Sequence, residues 1–132
     1  MRYNGNMMNN TMTYDFEDGV GPVPAHQHSN GGGWVADSAY ALASAFVGPD
    51  AKVYGTARVY DNAVVYANAR VYGTARVYGN AVVFGNAVVF DGAEVYDDAV
   101  VYGNAKVRGN AMVFGNAVAD GSSLGSLHSI GE

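Results

Sequence analysis

The sequence predicts an all-β chain wound into a three-sided solenoid of roughly five coils, and three observations carry that expectation. The first is a six-residue repeat that keeps its phase without insertion. Stepping by six from Val35 reaches Val or Ala at every stop to Ala119, with Ala only at 41 and 119. The second is the position four residues further along each hexad, which is Ala at all fourteen stops from Ala39 to Ala117. The third is a period of eighteen in the residues that precede each Val. Self-similarity of this kind marks architectures in which each unit buries its apolar side only against its neighbours.

Composition bounds what such a chain can be. Its 132 residues allow one domain with a compact core, and the lack of cysteine leaves no disulfide framework, thiol nucleophile or Cys-based metal site. Hydrophobic residues make up 49% and charged ones 14%, with 18 Gly, so much apolar surface must face outward or be shared with a partner. A formal net charge of −5 disfavours nucleic-acid binding, which needs a surplus of Lys and Arg. The opening MRYNGNMMNN is polar and no apolar run approaches bilayer length, so no signal peptide, transmembrane segment or membrane partner is expected, and the location is read as cytoplasmic or virion-associated.

Taken in order, residues 1–33 are expected to form an N-terminal arm and cap on an atypical first coil, where Ala41 replaces Val and Trp34, Tyr40, Leu42 and Phe46 gather around it. Over residues 34–120 the repeating unit is Val, aromatic, Gly or Asp, Asn or Thr, Ala and one variable residue. Across the hexad boundary, Ala-x-Val-Tyr alternates small-in, variable-out, aliphatic-in, aromatic-out, the period of a four-residue strand. The remaining pair, as in Gly79-Asn80, Gly85-Asn86 and Gly103-Asn104, is a corner, because Gly accepts positive φ and Asn tolerates it. Val, Tyr and Phe at fixed phase are strand formers, which argues against a disordered Gly-rich tract.

The variable residues fall into three columns, which means three strands per turn, stacked at about 4.8 Å. One column is Phe46, Val64, Val82, Val100 and Val118; the others are Tyr40, Arg58, Arg76, Glu94, Met112 and Trp34, Lys52, Arg70, Val88, Lys106. Val and Ala fill the axis, where a larger residue at an Ala position would overpack. Only the two ends are expected to be raw edges. The tail, residues 121–132, carries Leu124, Leu127 and Ile130, enough to fold over the last coil.

The aliphatic residue, the Asn-bearing corner and the small residue four places on resemble the hexapeptide-repeat family over residues 35–120. The resemblance implies a left-handed parallel β-helix, the hand opposite to that of ordinary parallel crossovers. Within that family the NGGGWVADSA opening at 30–39 and the VYGNA-type repeats are similar to a branch common in bacterial and phage genomes, which brings no reaction with it.

The best-known family members are acyltransferases that use coenzyme A or acyl carrier protein with a catalytic His, and its carbonic anhydrases place three His around a metal at subunit contacts. Residues 35–120 contain no His and no insertion, so no catalytic residue and no cofactor is assigned. His26 and His28, in AHQHSN, alternate on an extended arm and are weak metal candidates; two ligands without a third read as a polar loop, and His128 in the tail ranks lower. Gly31-Gly32-Gly33 before Trp34 has the composition of a phosphate cradle but no following helix or Lys, so a flexible lead-in is expected. Asp91, Glu94, Asp97 and Asp98 form an acidic patch without a calcium-binding nonapeptide. Arg58 and Arg76 flank Tyr60 and Tyr78, a pair able to stack a base or a sugar, although a solvated ladder neutralised by Glu94 is the better reading.

One surface stands out. Val64 with Tyr66, Val82 with Phe84, and Val100 with Tyr102, continued by Val118, make the only face apolar at both outward positions. A flat apolar face across five coils exceeds what soluble monomers usually expose and marks a contact surface. Ice binding would need ranked Thr, and Thr56 and Thr74 are expected on another face. The function expected is therefore a non-catalytic rigid solenoid, an oligomeric structural or protein-interaction module that pairs with itself as dimer or trimer, or with a foreign protein, through this face. The runners-up are an acyltransferase-like enzyme using coenzyme A, and a filament-forming or charge-mimic solenoid.

Overall fold

The computed structural model describes residues 7–8, 11–121 and 127–130. From Trp34 onward the chain repeats strand and corner at the predicted intervals, and each strand pairs in parallel with the strand eighteen residues away, as in Arg70 with Lys52 and with Val88. Three faces result. The first carries Trp34, Lys52, Arg70, Val88 and Lys106 in register. The second carries Tyr40, Arg58, Arg76, Glu94 and Met112, and the third Phe46, Val64, Val82, Val100 and Val118. The chain is an all-β solenoid of about five turns, with no helix among the described residues.

In most of the coil strands regular pairing covers only two residues, as in Val64–Val65, because the backbone turns immediately beyond them; Lys106–Val113 runs on for eight. The four-residue unit survives in the hydrogen bonds. The Val64 amide donates to the Ala81 carbonyl at 2.9 Å and the Tyr66 amide to the Val83 carbonyl at 3.0 Å, so the flanking Ala and aromatic extend each ladder. Inside, the column of Val from Val47 to Val113 is fully buried, and so are the Ala beside the corners from Ala45 to Ala111. Small side chains are what a prism this narrow can hold at native packing density.

The corners differ from expectation in one respect. Positive φ belongs to the first corner residue alone: Gly79, Gly85 and Gly103 at 64–71°, and Asp61, Ala67, Asp91 and Asp97 at 58°. The Asn that follows is not strained; instead its amide reaches its counterpart one coil on, as Asn68 Nδ2 donates to Asn86 Oδ1 at 3.5 Å and Asn80 Nδ2 to Asp98 Oδ1 at 3.4 Å. The three Asp are held by a recurring bond. Asp61, Asp91 and Asp97 each accept the amide of the glycine one coil on (Gly79, Gly109, Gly115) at 3.0–3.1 Å.

Before the coils come β1 (Met7–Met8), β2 (Thr11–Asp15), β3 (Pro22–Gln27) and β4 (Trp34–Ala36), each antiparallel to the next. Because β4 is the first strand of the first face, β3 closes the end of that face. The turn between β2 and β3 then lies along it. Phe16, 1% exposed, stacks on Tyr54 at 4.8 Å, and Tyr14 stacks on Trp34 at 4.6 Å. Arg70 donates to the Phe16 carbonyl at 3.3 Å, which fixes the turn two coils down.

Several expectations are corrected here. Trp34, Tyr40 and Phe46 do not gather around Ala41: they point outward on three different faces, since six residues turn the chain through one corner. The ends are raw only in part: Tyr40–Ala41 and Val118–Ala119 remain edge strands, and the others are covered. Besides β3, the segment 28–33 closes the third face, where the Val47 amide donates to the Asn30 carbonyl at 3.0 Å and the Gly33 amide to the Val47 carbonyl at 2.9 Å. At the far end Leu127–Ile130 pairs in parallel with Lys106–Val113. The glycine run is a close approach and not a flexible lead-in, because a Cβ on Gly31 would lie 2.2 Å from the Val47 carbonyl oxygen and one on Gly33 2.3 Å from that of Gly48.

Candidate functional site

The third face is built by strands whose inward Val fixes the register and whose variable residue and aromatic therefore point out. Val64, Val82, Val100 and Val118 stand in one column, continued upward by Phe46. Beside it Tyr66, Phe84 and Tyr102 form a second column, with ring centroids 4.9 and 5.3 Å apart and planes within 10°. In the first coil that slot is Gly48, close beneath the Phe46 ring, and in the last it is Asp120. Between these ends no outward position of the face carries a charge.

All seven residues singled out from the sequence thus share one surface. The valines between the coils are half-buried by their neighbours, while Tyr66 at 37% and Val118 at 54% are open. The N-terminal hairpin packs on the first face, while residues 28–33 meet this one only along its first strand, beside Phe46. Five coils at about 4.8 Å and strands of four residues give a face of roughly 300 Å², within the range of patches that monomers expose and not above it as expected.

The other candidates are not brought into a site. His26 and His28 part company. His26 is exposed, its Nδ1 2.8 Å from Asp37 Oδ1, whereas His28 is 5% exposed with Nε2 2.8 Å from the Ala45 carbonyl oxygen. That carbonyl lies on the edge of the first coil, so His28 satisfies a strand edge in place of a missing neighbour. No three His, Cys, Asp or Glu side chains among the described residues come close enough to hold a metal. The carboxylates of the acidic patch are engaged with glycine amides, with Asn80 and, for Glu94, with the Tyr78 hydroxyl at 2.8 Å. Glu94 stands in register beside Arg76, with one carboxylate oxygen taken by Tyr78. Burial, and then the Glu94 hydrogen bond and charge, hold the Tyr78 hydroxyl well above the ordinary tyrosine range.

Stacking a base between the second-face aromatics is also closed off, because Tyr60, Tyr78, Tyr96 and Phe114 stack on one another at 4.8–5.5 Å and turn their edges outward. Thr56 and Thr74 sit at the corner before this face, where their hydroxyls donate to the carbonyls of Gly73 and Asp91 at 3.1 and 3.0 Å. Sequence reasoning missed the ring ladder and the His28 contact. The first was legible, since aromatics at a spacing of eighteen must stack once the coil is closed; the second joins residues seventeen apart across an irregular loop and left no pattern.

Residues 57–73 and 75–91 match the family model of the YdcK beta solenoid repeat. These stretches run through the second, third and fourth coils, and the chain is similar to that family over them. Comparisons with curated proteins and with solved structures give no match. Among the described residues no helix is long and apolar enough to cross a membrane.

Proposed function

We propose that this protein is a non-catalytic, rigid β-solenoid of the hexapeptide-repeat type whose task is to associate through its third face, first of all with a second copy of itself. The observation that supports this is the uncharged double column of Val64, Val82, Val100 and Tyr66, Phe84, Tyr102, left uncovered by the hairpin that shields the first face. A flat face of stacked rings and valines is complementary to itself about a two-fold axis, which makes a dimer the simplest product and a trimer the alternative outcome. Roughly 300 Å² per chain is less than half of the about 800 Å² that each partner of a standard interface buries, so the association belongs to the weak class, micromolar or weaker.

The contact can be located directly because the chain has no cysteine to compete with a label. A nitroxide on Asn86→Cys, at a corner bordering the third face, should report a short distance between chains by pulsed dipolar spectroscopy. One on Thr74→Cys, at the corner opposite, should not. Short distances from Thr74 and none from Asn86 would assign the contact elsewhere.

A further inference from the structure

The second face carries a set of groups that self-association does not use. Two shallow depressions meet at Arg58, one lined by Ser38, Tyr40, Thr56 and Arg58, the other by Tyr40, Leu42, Arg58 and Tyr60. Among the described residues the Arg58 guanidinium has no ion pair and no hydrogen bond. Arg70, at the same position of the first face, is held by the Phe16 carbonyl, the Tyr54 hydroxyl and Glu17. Arg76 stands in register one coil beyond Arg58, and the two positive charges lie at about the strand spacing. The nearby corner carboxylates are turned to other partners, Asp37 to His26 and Asp61 to the Gly79 amide.

The remaining groups define what the anion is attached to. Ser38 donates its hydroxyl proton to the Gly55 carbonyl, and Thr56 donates its own to Gly73. A hydroxyl whose proton is engaged can only accept from a ligand, so these two oxygens call for ligand O–H groups. Tyr40 is half-exposed, stands in register above Arg58 at the open edge of the face, and has no aromatic ring stacked on it among the described residues, whereas the rings of the neighbouring column, Tyr60, Tyr78, Tyr96 and Phe114, stack on one another. A free ring face suits the C–H side of a sugar, and a planar guanidinium suits a carboxylate or phosphate.

We infer that Ser38, Tyr40, Thr56 and Arg58 form a binding site for an anionic sugar, with Arg58 on the carboxylate or phosphate, Ser38 and Thr56 accepting from sugar hydroxyls, and Tyr40 packing on the ring. Arg76 extends the site along the column, so an acidic oligosaccharide engages both guanidiniums. The site is on a different face from the proposed self-contact, and either can fail alone.

Backbone amide shifts on titration with galacturonate, glucose phosphate, neutral glucose and inorganic phosphate test it. An anionic sugar should move residues 38–42 and 56–60 with a dissociation constant of about 1 mM. Glucose and inorganic phosphate should each bind about tenfold more weakly, and the better of the two anionic sugars names the anion. Arg58→Gln should weaken binding about tenfold or more with an unchanged circular dichroism spectrum, while Arg108→Gln, on the first face, should leave it intact. No shift at these residues, inorganic phosphate binding as well as the sugars, or Arg58→Gln binding like the parent would each overturn the assignment.

Discussion

Replacing Ala67 by Gly should make this protein more stable, although glycine usually weakens a strand-rich fold. Ala67 holds φ at 58°, a conformation in which a β-carbon costs about 1–2 kcal/mol. The corner is also tight against the next coil, as a Cβ on Gly85, one coil on, would lie 2.8 Å from the Gly103 amide nitrogen. Asp61, Asp91 and Asp97 bear the same φ but recover a hydrogen bond from the glycine below, which an alanine cannot accept. Against the relieved strain stands the extra freedom of glycine in the unfolded chain, about 0.4–1 kcal/mol. The balance is a gain of roughly 0.5–1 kcal/mol. Asp61→Ala should move the other way by about 1–2 kcal/mol, because it leaves the strain and removes the charged acceptor of the Gly79 amide. Urea unfolding followed by circular dichroism gives both numbers, provided the slope is unchanged. A lower midpoint for Ala67→Gly together with a neutral Asp61→Ala would refute the account of the corners.

Two further outcomes follow from the interior and from the tyrosine ladder. Ala81→Leu should lower stability by about 3 kcal/mol through overpacking of the axis, whereas Val88→Glu, flanked in register by Arg70 and Lys106, should stay within about 0.5 kcal/mol; equal midpoints would contradict the assigned inside and outside. The raised Tyr78 hydroxyl favours the neutral folded state, so its contribution is complete below about pH 10 and is lost as the pH climbs through the folded value. Glu94→Gln removes the charge that helps to raise it, so phenolate absorbance should appear at lower pH than in the parent; an unchanged titration would mean that Glu94 does not act on Tyr78.

What was legible in the sequence was whatever repeats. The Val35 register named the buried column, and the spacing of eighteen named three faces and the residues stacked on each. The corners were half legible: the pair was right, but the αL position falls on the first residue because that one must reverse the chain, while Asn is kept for amide bonds between coils. The N-terminal hairpin was not legible in detail. Phe16 stacks on Tyr54 and His28 bonds Ala45 through contacts distant in sequence, and irregular segments placed by the surface beneath them carry no period of their own. The apolar face was named residue by residue, since outward positions follow once the inward ones are known.

Its use is tested most directly by light scattering coupled to gel filtration, on the parent and on Val82→Arg/Val100→Arg. These two valines stand one above the other at the centre of the face, and both point away from the buried column. Two stacked guanidiniums would have to be desolvated without an acidic partner, at a cost of several kcal/mol to the contact and little to the fold. The expected result is an oligomer for the parent at about 100 µM and a folded monomer with the same circular dichroism spectrum for the double variant. A parent that stays monomeric at that concentration, or a double variant that associates as the parent does, would contradict self-association through this face.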